Sequence, residues 1–331
     1  MKGESRLGMV RRVRMGMALA GLLALAIPWA GLAAGSGTFA VTLTARNMAF
    51  DQSTLTVPAG AAVTLRFANN DSGVPHNVAI YETPAAATVI FQGKVIPGPQ
   101  SITYTFTAPT RPGTYFFRCD VHPATMTGAF VVVPAVTLDL TAQQLAFDKR
   151  TLSAPAGAYV TVHFQNADAG LPHTFSLYET QAAEIALFRG QAITGPATAD
   201  YAFFAPEKPG KYFFRCDVHP STMTGDFVVV ASVAVTLTAK HMAFDRTTVA
   251  VPADAYVLLH FTNEDSGVPH NVAAYTDSSA RTPLFQGAIV TGPATADYAF
   301  FAPEKPGKYF FRCDVHPSTM TGVLDVTAAG G

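Results

Sequence analysis

The sequence predicts an all-β protein that consists of three tandem Greek-key β-sandwich domains. The chain repeats itself with a constant period of 97 residues, which is most visible at Cys119, Cys216 and Cys313. A unit of this length is a whole domain, because solenoid repeats are about half as long or shorter. Each repeat holds several short segments in which apolar and polar residues alternate, and turn residues separate them, as in a small β-sandwich. After residue 35 no segment keeps a helical period over three turns.

The first repeat shows how the elements are assigned. Alternation of apolar and polar residues predicts strands, and clusters of Pro, Gly, Asn and Asp predict turns. The predicted strands are 39–45, 62–67, 102–106 and 130–133. The turn signals between them are Pro58-Ala59-Gly60, Asn69-Asn70-Asp71 and Pro112-Gly113. Within the segment Asn47-Met48-Ala49-Phe50, Met48 and Phe50 alternate as the core residues of a strand would.

The period also sets the domain limits. The predicted domains are 37–134, 135–231 and 232–328. Strand passes to strand near Pro134 and Ala231 with almost no linker, so we expect the domains to pack closely. Residues 194–225 and 291–322 are identical, which indicates that the second and third copies separated most recently. A closed ring and a linear row of domains both fit the sequence.

Residues 1–34 have the pattern of an export signal. Five basic residues precede an uncharged apolar run, which begins at Met15 and ends in small residues near Ala34. Cleavage near Ala34 is the favoured interpretation, and a retained membrane anchor is the alternative, because the run is long enough to span a bilayer. Both place the domains in the periplasm or outside the cell. Removal of this segment would change the formal charge from −1 to −5, which offers no basic surface for nucleic acid.

Each repeat carries one motif of the form Cys-x-x-His-x-x-x-Met. The three copies are Cys119-His122-Met126, Cys216-His219-Met223 and Cys313-His316-Met320. A thiolate, an imidazole and a thioether on one short loop are donors that suit copper. Exported proteins usually pair their cysteines. Here each cysteine occupies the same position of its own repeat, so metal ligation explains the cysteines better than disulfide bonds do.

A Pro-His pair stands 43 residues before each cysteine and offers a fourth donor. The histidines of these pairs are His76, His173 and His270. Two imidazoles and a thiolate with a weak axial thioether form the arrangement of a blue-copper electron-transfer site. One such motif would be a weak signal, but three copies at a fixed interval are a strong one. Metal-free sandwiches are disfavoured, because none of the twelve donor positions has changed.

On these residues the chain resembles the cupredoxins, in particular the plastocyanin and amicyanin branch of type 1 blue copper proteins. The resemblance covers residues 37–328 and extends to the aromatic strand Tyr115-Phe116-Phe117 and to Gly128. It implies three coppers per chain that cycle between Cu(I) and Cu(II). It also implies redox partner proteins that dock near the loop histidines. By match to the family pattern the ligands would be His76, Cys119, His122 and Met126, then His173, Cys216, His219 and Met223, then His270, Cys313, His316 and Met320.

Two departures from the family pattern concern the copper sites. The three-residue gap between histidine and methionine lies between the gaps of amicyanin and plastocyanin, which leaves the axial bond length open. Thr174 replaces the residue that is Asn77 and Asn271 in the other copies. In the family this Asn ties the two ligand loops together, so we expect the second site to differ in potential or affinity.

Copper enzymes are disfavoured by the residues around the motif. Multicopper oxidases need several His-x-His pairs, and this chain has none. Copper nitrite reductases carry a His directly before the ligand cysteine, where this chain has Arg118, Arg215 and Arg312. In the region of their other histidine it has Tyr81, Tyr178 and Tyr275. His163 and His260 are predicted on a solvated strand face.

Electron transfer is therefore the favoured function. Binding, storage or delivery of copper outside the cytoplasm is the alternative. A structural array of sandwiches comes third, because it has no use for twelve repeated donors.

Overall fold

The computed structural model describes residues 38–328, and the predicted export signal or anchor of residues 1–34 lies outside them. The described chain is all-β and forms three sandwich units of eleven strands each. Among these residues we find no helix with the length and hydropathy needed to cross a bilayer. The predicted fold class is confirmed.

The strands follow the sequence repeat. In the first unit they are β1 Phe39–Arg46, β2 Ala49–Phe50, β3 Thr54–Pro58, β4 Ala62–Asn69, β5 Pro75–His76, β6 Ala79–Tyr81, β7 Val89–Gln92, β8 Ile96–Pro97, β9 Gln100–Thr107, β10 Gly113–Arg118 and β11 Thr127–Val133. In the second unit they are β12 Ala135–Gln143, β13 Ala146–Phe147, β14 Thr151–Pro155, β15 Tyr159–Asn166, β16 Pro172–His173, β17 Ser176–Tyr178, β18 Ala186–Arg189, β19 Ile193–Thr194, β20 Ala197–Phe204, β21 Gly210–Arg215 and β22 Thr224–Val230. In the third unit they are β23 Ser232–Lys240, β24 Ala243–Phe244, β25 Thr248–Pro252, β26 Tyr256–Asn263, β27 Pro269–His270, β28 Ala273–Tyr275, β29 Pro283–Gln286, β30 Val290–Thr291, β31 Ala294–Phe301, β32 Gly307–Arg312 and β33 Thr321–Thr327.

Each unit packs a four-stranded sheet on a five-stranded sheet. In the first unit the orders are β2-β1-β4-β9 and β3-β11-β10-β6-β7, and a short ladder joins β5 to β8. Strand β1 runs parallel to β4, and β3 runs parallel to β11. Alternation sets which side chains face inward: Val63, Leu65 and Phe67 of β4 are buried, whereas Arg66 between them is exposed. The other two units repeat this topology.

The core of each unit extends to the sulfur-bearing residues of the predicted site. In the first unit Cys119 and Met126 belong to the same buried cluster as Phe117 and Phe130. Full burial of one such aromatic side chain contributes roughly 2–3 kcal/mol. The metal-binding loop therefore rests on the packed core of its unit, and its buried end is fixed by the same contacts that stabilise the sandwich.

One sequence prediction about the core is wrong. Met48 does not lie in a strand but in the two-residue turn between β1 and β2, and its side chain is 47% exposed. Its φ is 58° and that of Asn47 is 54°. A two-residue hairpin turn of this kind needs positive φ at both positions, which carries Met48 to the tip. Phe50, which follows, does pack against the core.

The joints between units are as short as the sequence suggests. Only residue 134 separates β11 from β12, and only residue 231 separates β22 from β23. Phe39 of the first unit packs edge-on against Tyr159 of the second, with ring centroids 5.4 Å apart. The first and third units also meet, because Arg111 and His260 line one cleft of about 310 Å³. The first unit thus lies beside both others.

Candidate metal centres

Each sandwich unit brings a cysteine and two histidines together. In the first unit the Sγ atom of Cys119 lies 3.6 Å from Nδ1 of His76 and 3.8 Å from Nδ1 of His122. The two Nδ1 atoms lie 3.1 Å apart. One sulfur and two ring nitrogens therefore face a common point.

The second and third units repeat this cluster closely. Cys216 Sγ lies 3.8 Å from Nδ1 of both His173 and His219, and these nitrogens are 3.2 Å apart. In the third unit the corresponding distances at Cys313 are 3.7, 3.8 and 3.1 Å. In every unit the three donor atoms lie within 4.8 Å of one another. The nine predicted Cys and His positions thus form three separate clusters.

Sheet pairing explains how residues 43 positions apart meet. Strand β10 runs into the cysteine loop, and its last residue, Arg118, pairs with Ala79 at the start of β6. His76 lies in β5, just before β6, and β5 is held by β8 through the pair His76 and Ile96. Because β6 and β10 are neighbours, the two donor segments reach the same end of the sandwich.

The three methionines lie on the same loops and are buried. In the first unit the backbone N–H of Cys119 donates to Met126 O at 2.9 Å, and Met126 N–H donates to His122 O at 3.1 Å. Because three residues separate the histidine from the methionine, this second bond joins residue i+4 to residue i and closes a single α-turn. The loop therefore folds Met126 back beside Cys119. Met223 and Met320 are held by the same two bonds.

A carboxylate holds the buried histidine of each cluster, and the sequence interpretation missed it. His76 Nε2 donates to Asp71 Oδ2 at 2.9 Å. Asp71 also accepts the backbone N–H groups of Asn47 and Met48. The pKa of Asp71 is lowered, first by the N–H of Met48, while burial acts in the opposite direction. Asp168 and Asp265 make the same contacts in the other units. The signal was an Asp five residues before each Pro-His histidine, which the sequence interpretation used only as a turn residue.

A second acidic residue stabilises the cysteine loop from the other side. Asp120 donates its backbone N–H to Asn77 Oδ1 at 2.7 Å. Its carboxylate accepts Tyr81 Oη–H at 2.6 Å and Arg118 Nε–H at 3.0 Å. Burial alone would raise the pKa of Asp120, but the hydrogen bonds from Tyr81, Gln92, Arg118 and Asn77 lower it to about 2. The Arg118 guanidinium also lies 4.6 Å above the Tyr81 ring.

The second centre differs in the residues that support it. Thr174 Oγ1 accepts the backbone N–H of Asp217 at 2.8 Å, which keeps the tie that Asn77 makes in the first unit. Ser176 adds a hydroxyl that donates to the Asp217 carboxylate at 2.7 Å. Thr174 N–H also donates to Cys216 Sγ at 3.4 Å. The loops are thus tied together by a different set of hydrogen bonds.

Comparison with known proteins identifies the family. A model of the cupredoxin-like domain matches residues 17–132 and 135–229. The chain belongs to this family. The curated Auracyanin-A of Chloroflexus aurantiacus is 31% identical over 125 residues, which cover 30% of this cupredoxin and 76% of the relative.

The solved structures that resemble this chain include an auracyanin and a copper-containing nitrite reductase. Dithionite-reduced auracyanin of Roseiflexus castenholzii is 29% identical, with a TM-score of 0.27, over 30% of this chain and 100% of its own. A copper-containing nitrite reductase of Thermus scotoductus is 16% identical, with a TM-score of 0.24, over 88% of this chain and 99% of its own. TM-scores this low do not bear on function.

The donor sets of this cupredoxin fit copper. Each cluster offers one soft sulfur and two imidazole nitrogens, and a buried methionine lies on the same loop. The three cysteines are buried and form no disulfide bond. The carboxylate on the far nitrogen of His76 leaves its Nδ1 free to face the cluster. The chain therefore provides sites for three copper ions.

Two of the three remaining histidines lie apart from these clusters, and the third, His241, contacts Asp265 through its backbone N–H. His163 and His260 lie on the outer faces of β15 and β26, and each contacts an aspartate at 2.7 Å, Asp200 and Asp297 respectively. The side chain of His163 is 50% exposed, whereas that of His260 is 24% exposed because it lines the cleft beside the first unit.

Proposed function

We propose that the chain is an exported electron-transfer protein that carries three type 1 copper sites. The observation that supports this best is the repeated cluster of one cysteine and two histidines at the end of each sandwich. A bound copper would supply a one-electron couple between Cu(I) and Cu(II). The chain is related in sequence to auracyanin A, which is described as a "blue" copper protein. We assign one site to each of the domains 37–134, 135–231 and 232–328.

The proposed ligands are the twelve residues of the three repeated motifs. They are His76, Cys119, His122 and Met126; His173, Cys216, His219 and Met223; and His270, Cys313, His316 and Met320. In each set the cysteine, the methionine and the first histidine are buried, and the loop histidine is partly exposed. A metal held in this way is shielded from substrates but has one ligand that reaches the surface.

We infer that redox partner proteins dock around the loop histidines. Val121 and Pro123 flank His122, and both are exposed. Val218 in the second unit is 41% exposed beside His219. An apolar rim around the exposed ligand suits a short-lived contact with another protein, because little polar surface has to be desolvated. Export through residues 1–34, with membrane tethering as the alternative, would place these partners outside the cytoplasm.

The positions that differ from copper enzymes favour an electron carrier. Arg118 stands directly before Cys119 and is engaged with Asp120 and Tyr81. Arg215 and Arg312 make the same ion pair with Asp217 and Asp314. We therefore expect the copper-loaded protein to reduce no nitrite and to oxidise no phenolic substrate.

Copper loading and visible spectroscopy test this proposal. The mature chain is purified, supplied with Cu(II), and its metal content and absorption spectrum are recorded. Three coppers per chain and an intense blue thiolate-to-copper band support the proposal. A colourless protein, or fewer than one copper per chain, contradicts it.

Copper storage or delivery is the second candidate, since the buried sulfur donors also suit Cu(I). Retention separates the two functions. The loaded protein is cycled with ascorbate and ferricyanide in the presence of a strong Cu(I) chelator. An electron carrier keeps its copper through repeated cycles, whereas a delivery protein loses it to the chelator after the first reduction.

A further inference from the structure

We propose that Asp71, Asp168 and Asp265 are positioning residues that hold the buried histidine of each copper site in its metal-binding tautomer. This inference rests on the proposed copper sites. In each unit the carboxylate lies 2.9 or 3.0 Å from Nε2 of that histidine. The histidine side chains are fully buried, and the aspartate side chains are 10–12% exposed.

Hydrogen-bond chemistry fixes the proton at this contact. An ionised carboxylate only accepts, so Nε2 of His76 must carry the hydrogen. A neutral imidazole has one donor and one acceptor nitrogen, which leaves Nδ1 of His76 without a proton. That atom faces Cys119 Sγ at 3.6 Å and His122 Nδ1 at 3.1 Å. The metal-facing nitrogen is thus prepared before any metal binds.

The carboxylate is itself held in place by the turn between β1 and β2. Asn47 N–H donates to Asp71 Oδ1, and Met48 N–H donates to Oδ2 at 2.8 Å. Both turn residues have positive φ, which aims their successive N–H groups at one side. The backbone N–H of Asp71 is accepted by the buried Asn69 at 3.0 Å. Asp71 therefore joins the outer turn to the buried ligand.

The same contact recurs although the turn sequence does not. The turn residues are Gln144 and Leu145 in the second unit and His241 and Met242 in the third, and only their N–H groups contact the aspartate. Leu145 is 44% exposed, as is Met242. The side chains at the turn vary, whereas the aspartate and its bonds to the histidine stay the same in all three units. This pattern indicates that the carboxylate serves the histidine.

A fixed negative charge that is hydrogen-bonded directly to the ligand ring has a second consequence. It makes the imidazole a stronger donor and favours the more highly charged metal state. Removal of the charge without removal of the acceptor should therefore shift the copper potential upward. Removal of both the charge and the acceptor oxygen should allow the histidine to adopt either tautomer and should weaken metal binding.

The first test uses the copper-free protein. The full chain carrying Cys216→Ser and Cys313→Ser keeps one complete site, and the tautomer of His76 is read from ¹⁵N ring shifts at pH 7. We expect protonated Nε2 in this parent and a mixture of tautomers in Asp71→Ala. Asp51→Asn is the matched control, because Asp51 accepts Thr44 N–H in the same hairpin at 2.8 Å. An unchanged tautomer in Asp71→Ala overturns the proposal.

The second test adds Cu(II) to the same variants. Asp71→Ala should weaken copper binding by about 10- to 100-fold. Asp71→Asn keeps an acceptor oxygen, so it should bind copper within tenfold of the parent and show a more positive potential. Asp51→Asn should match the parent in both. Copper affinity in Asp71→Ala within twofold of the parent overturns the proposal, even where the tautomer changes.

Two readouts keep the proposal separate from the copper function. Circular dichroism checks that each variant folds. If Asp71→Ala does not fold, the copper potential of Asp71→Asn is used as the test instead. If the parent itself binds no copper, the proposed function fails, while the ¹⁵N shifts of the copper-free protein still decide whether Asp71 sets the tautomer of His76.

Discussion

Thr174 Oγ1 accepts the backbone N–H of Asp217 at 2.8 Å, where Asn77 Oδ1 accepts that of Asp120 at 2.7 Å in the first unit. The shorter side chain keeps this tie, but among the described residues its hydroxyl makes no bond to the aspartate carboxylate of the kind that the Asn77 amide makes. Ser176 supplies that donor instead, at a position that is alanine in the other units. The two changes compensate for each other.

The first prediction concerns the potential of the second copper. Thr174 N–H donates to Cys216 Sγ, and among the described residues the first and third sites hold no equivalent bond. A hydrogen bond to the sulfur weakens its donation to Cu(II). A net contribution of about 1 kcal/mol corresponds to roughly 40 mV for one electron. We therefore expect one of three potentials to lie higher in a spectroelectrochemical titration.

The double variant Thr174→Asn with Ser176→Ala is the matching test, since it restores the residues of the first unit. We expect the separate potential to merge with the other two. Asn77→Thr with Ala79→Ser is the reciprocal variant and should split the first site away. Three potentials that are equal in the wild type and unmoved in both variants would contradict this prediction.

Substitution of Cys216 by serine tests whether the three centres are alike. If each site contributes equally, Cys216→Ser should remove one third of the blue absorption band and one of three bound coppers. Cys119→Ser and Cys313→Ser serve as matched controls that should give the same loss. A smaller loss of absorbance for Cys216→Ser than for the two controls would show that the second site is weakly coloured or weakly loaded.

More of the fold could be predicted from the sequence than of the residues that hold the metal ligands in place. Alternation placed β1, β4 and β9 correctly, because a residue that faces the core repeats at every second position. Asp71 was missed because its role depends on a contact with His76 through space, which no periodicity reveals. Met48 was misplaced because its alternation with Phe50 continues through a turn with positive φ. The meeting of the first and third units also has no local signal.

Gly128 illustrates a packing constraint that sequence alone did not explain. A Cβ atom built at Gly128 would lie 2.3 Å from the Phe117 ring and 2.7 Å from Ser53 O. Gly128→Ala must therefore displace Phe117, which lies two residues before Cys119. Overpacking of this kind costs roughly 1–3 kcal/mol. We expect a lower free energy of unfolding in guanidinium and a shifted blue band for this site.

Gly113→Ala is the matched control for that substitution. Gly113 begins the same strand β10, and no atom lies within 4 Å of a Cβ built there. We expect its free energy of unfolding to stay within about 0.5 kcal/mol of the wild type. Equal destabilisation by both variants would contradict the contact with Phe117 as the cause, because alanine is not a poorer strand residue than glycine.

The last prediction concerns stability at high pH. Burial raises the pKa of Tyr256 from 10.0 to about 12. Because the pKa is higher in the folded state, the contribution to stability is complete below pH 10 and is lost as the pH rises from 10 to about 12. The amount is on the order of 2 kcal/mol. Tyr256→Phe should remove part of this dependence, so the slope of unfolding free energy against pH should flatten above pH 10.

Val257→Ala on the same strand is the control for this prediction. Val257 is 1% exposed, and its truncation should destabilise the protein by a similar amount at every pH, because no titrating group is removed. Chemical denaturation at pH 8, 10 and 11.5 separates the two variants. If Tyr256→Phe loses stability above pH 10 as steeply as Val257→Ala does, burial of the Tyr256 hydroxyl is not a source of the alkaline loss.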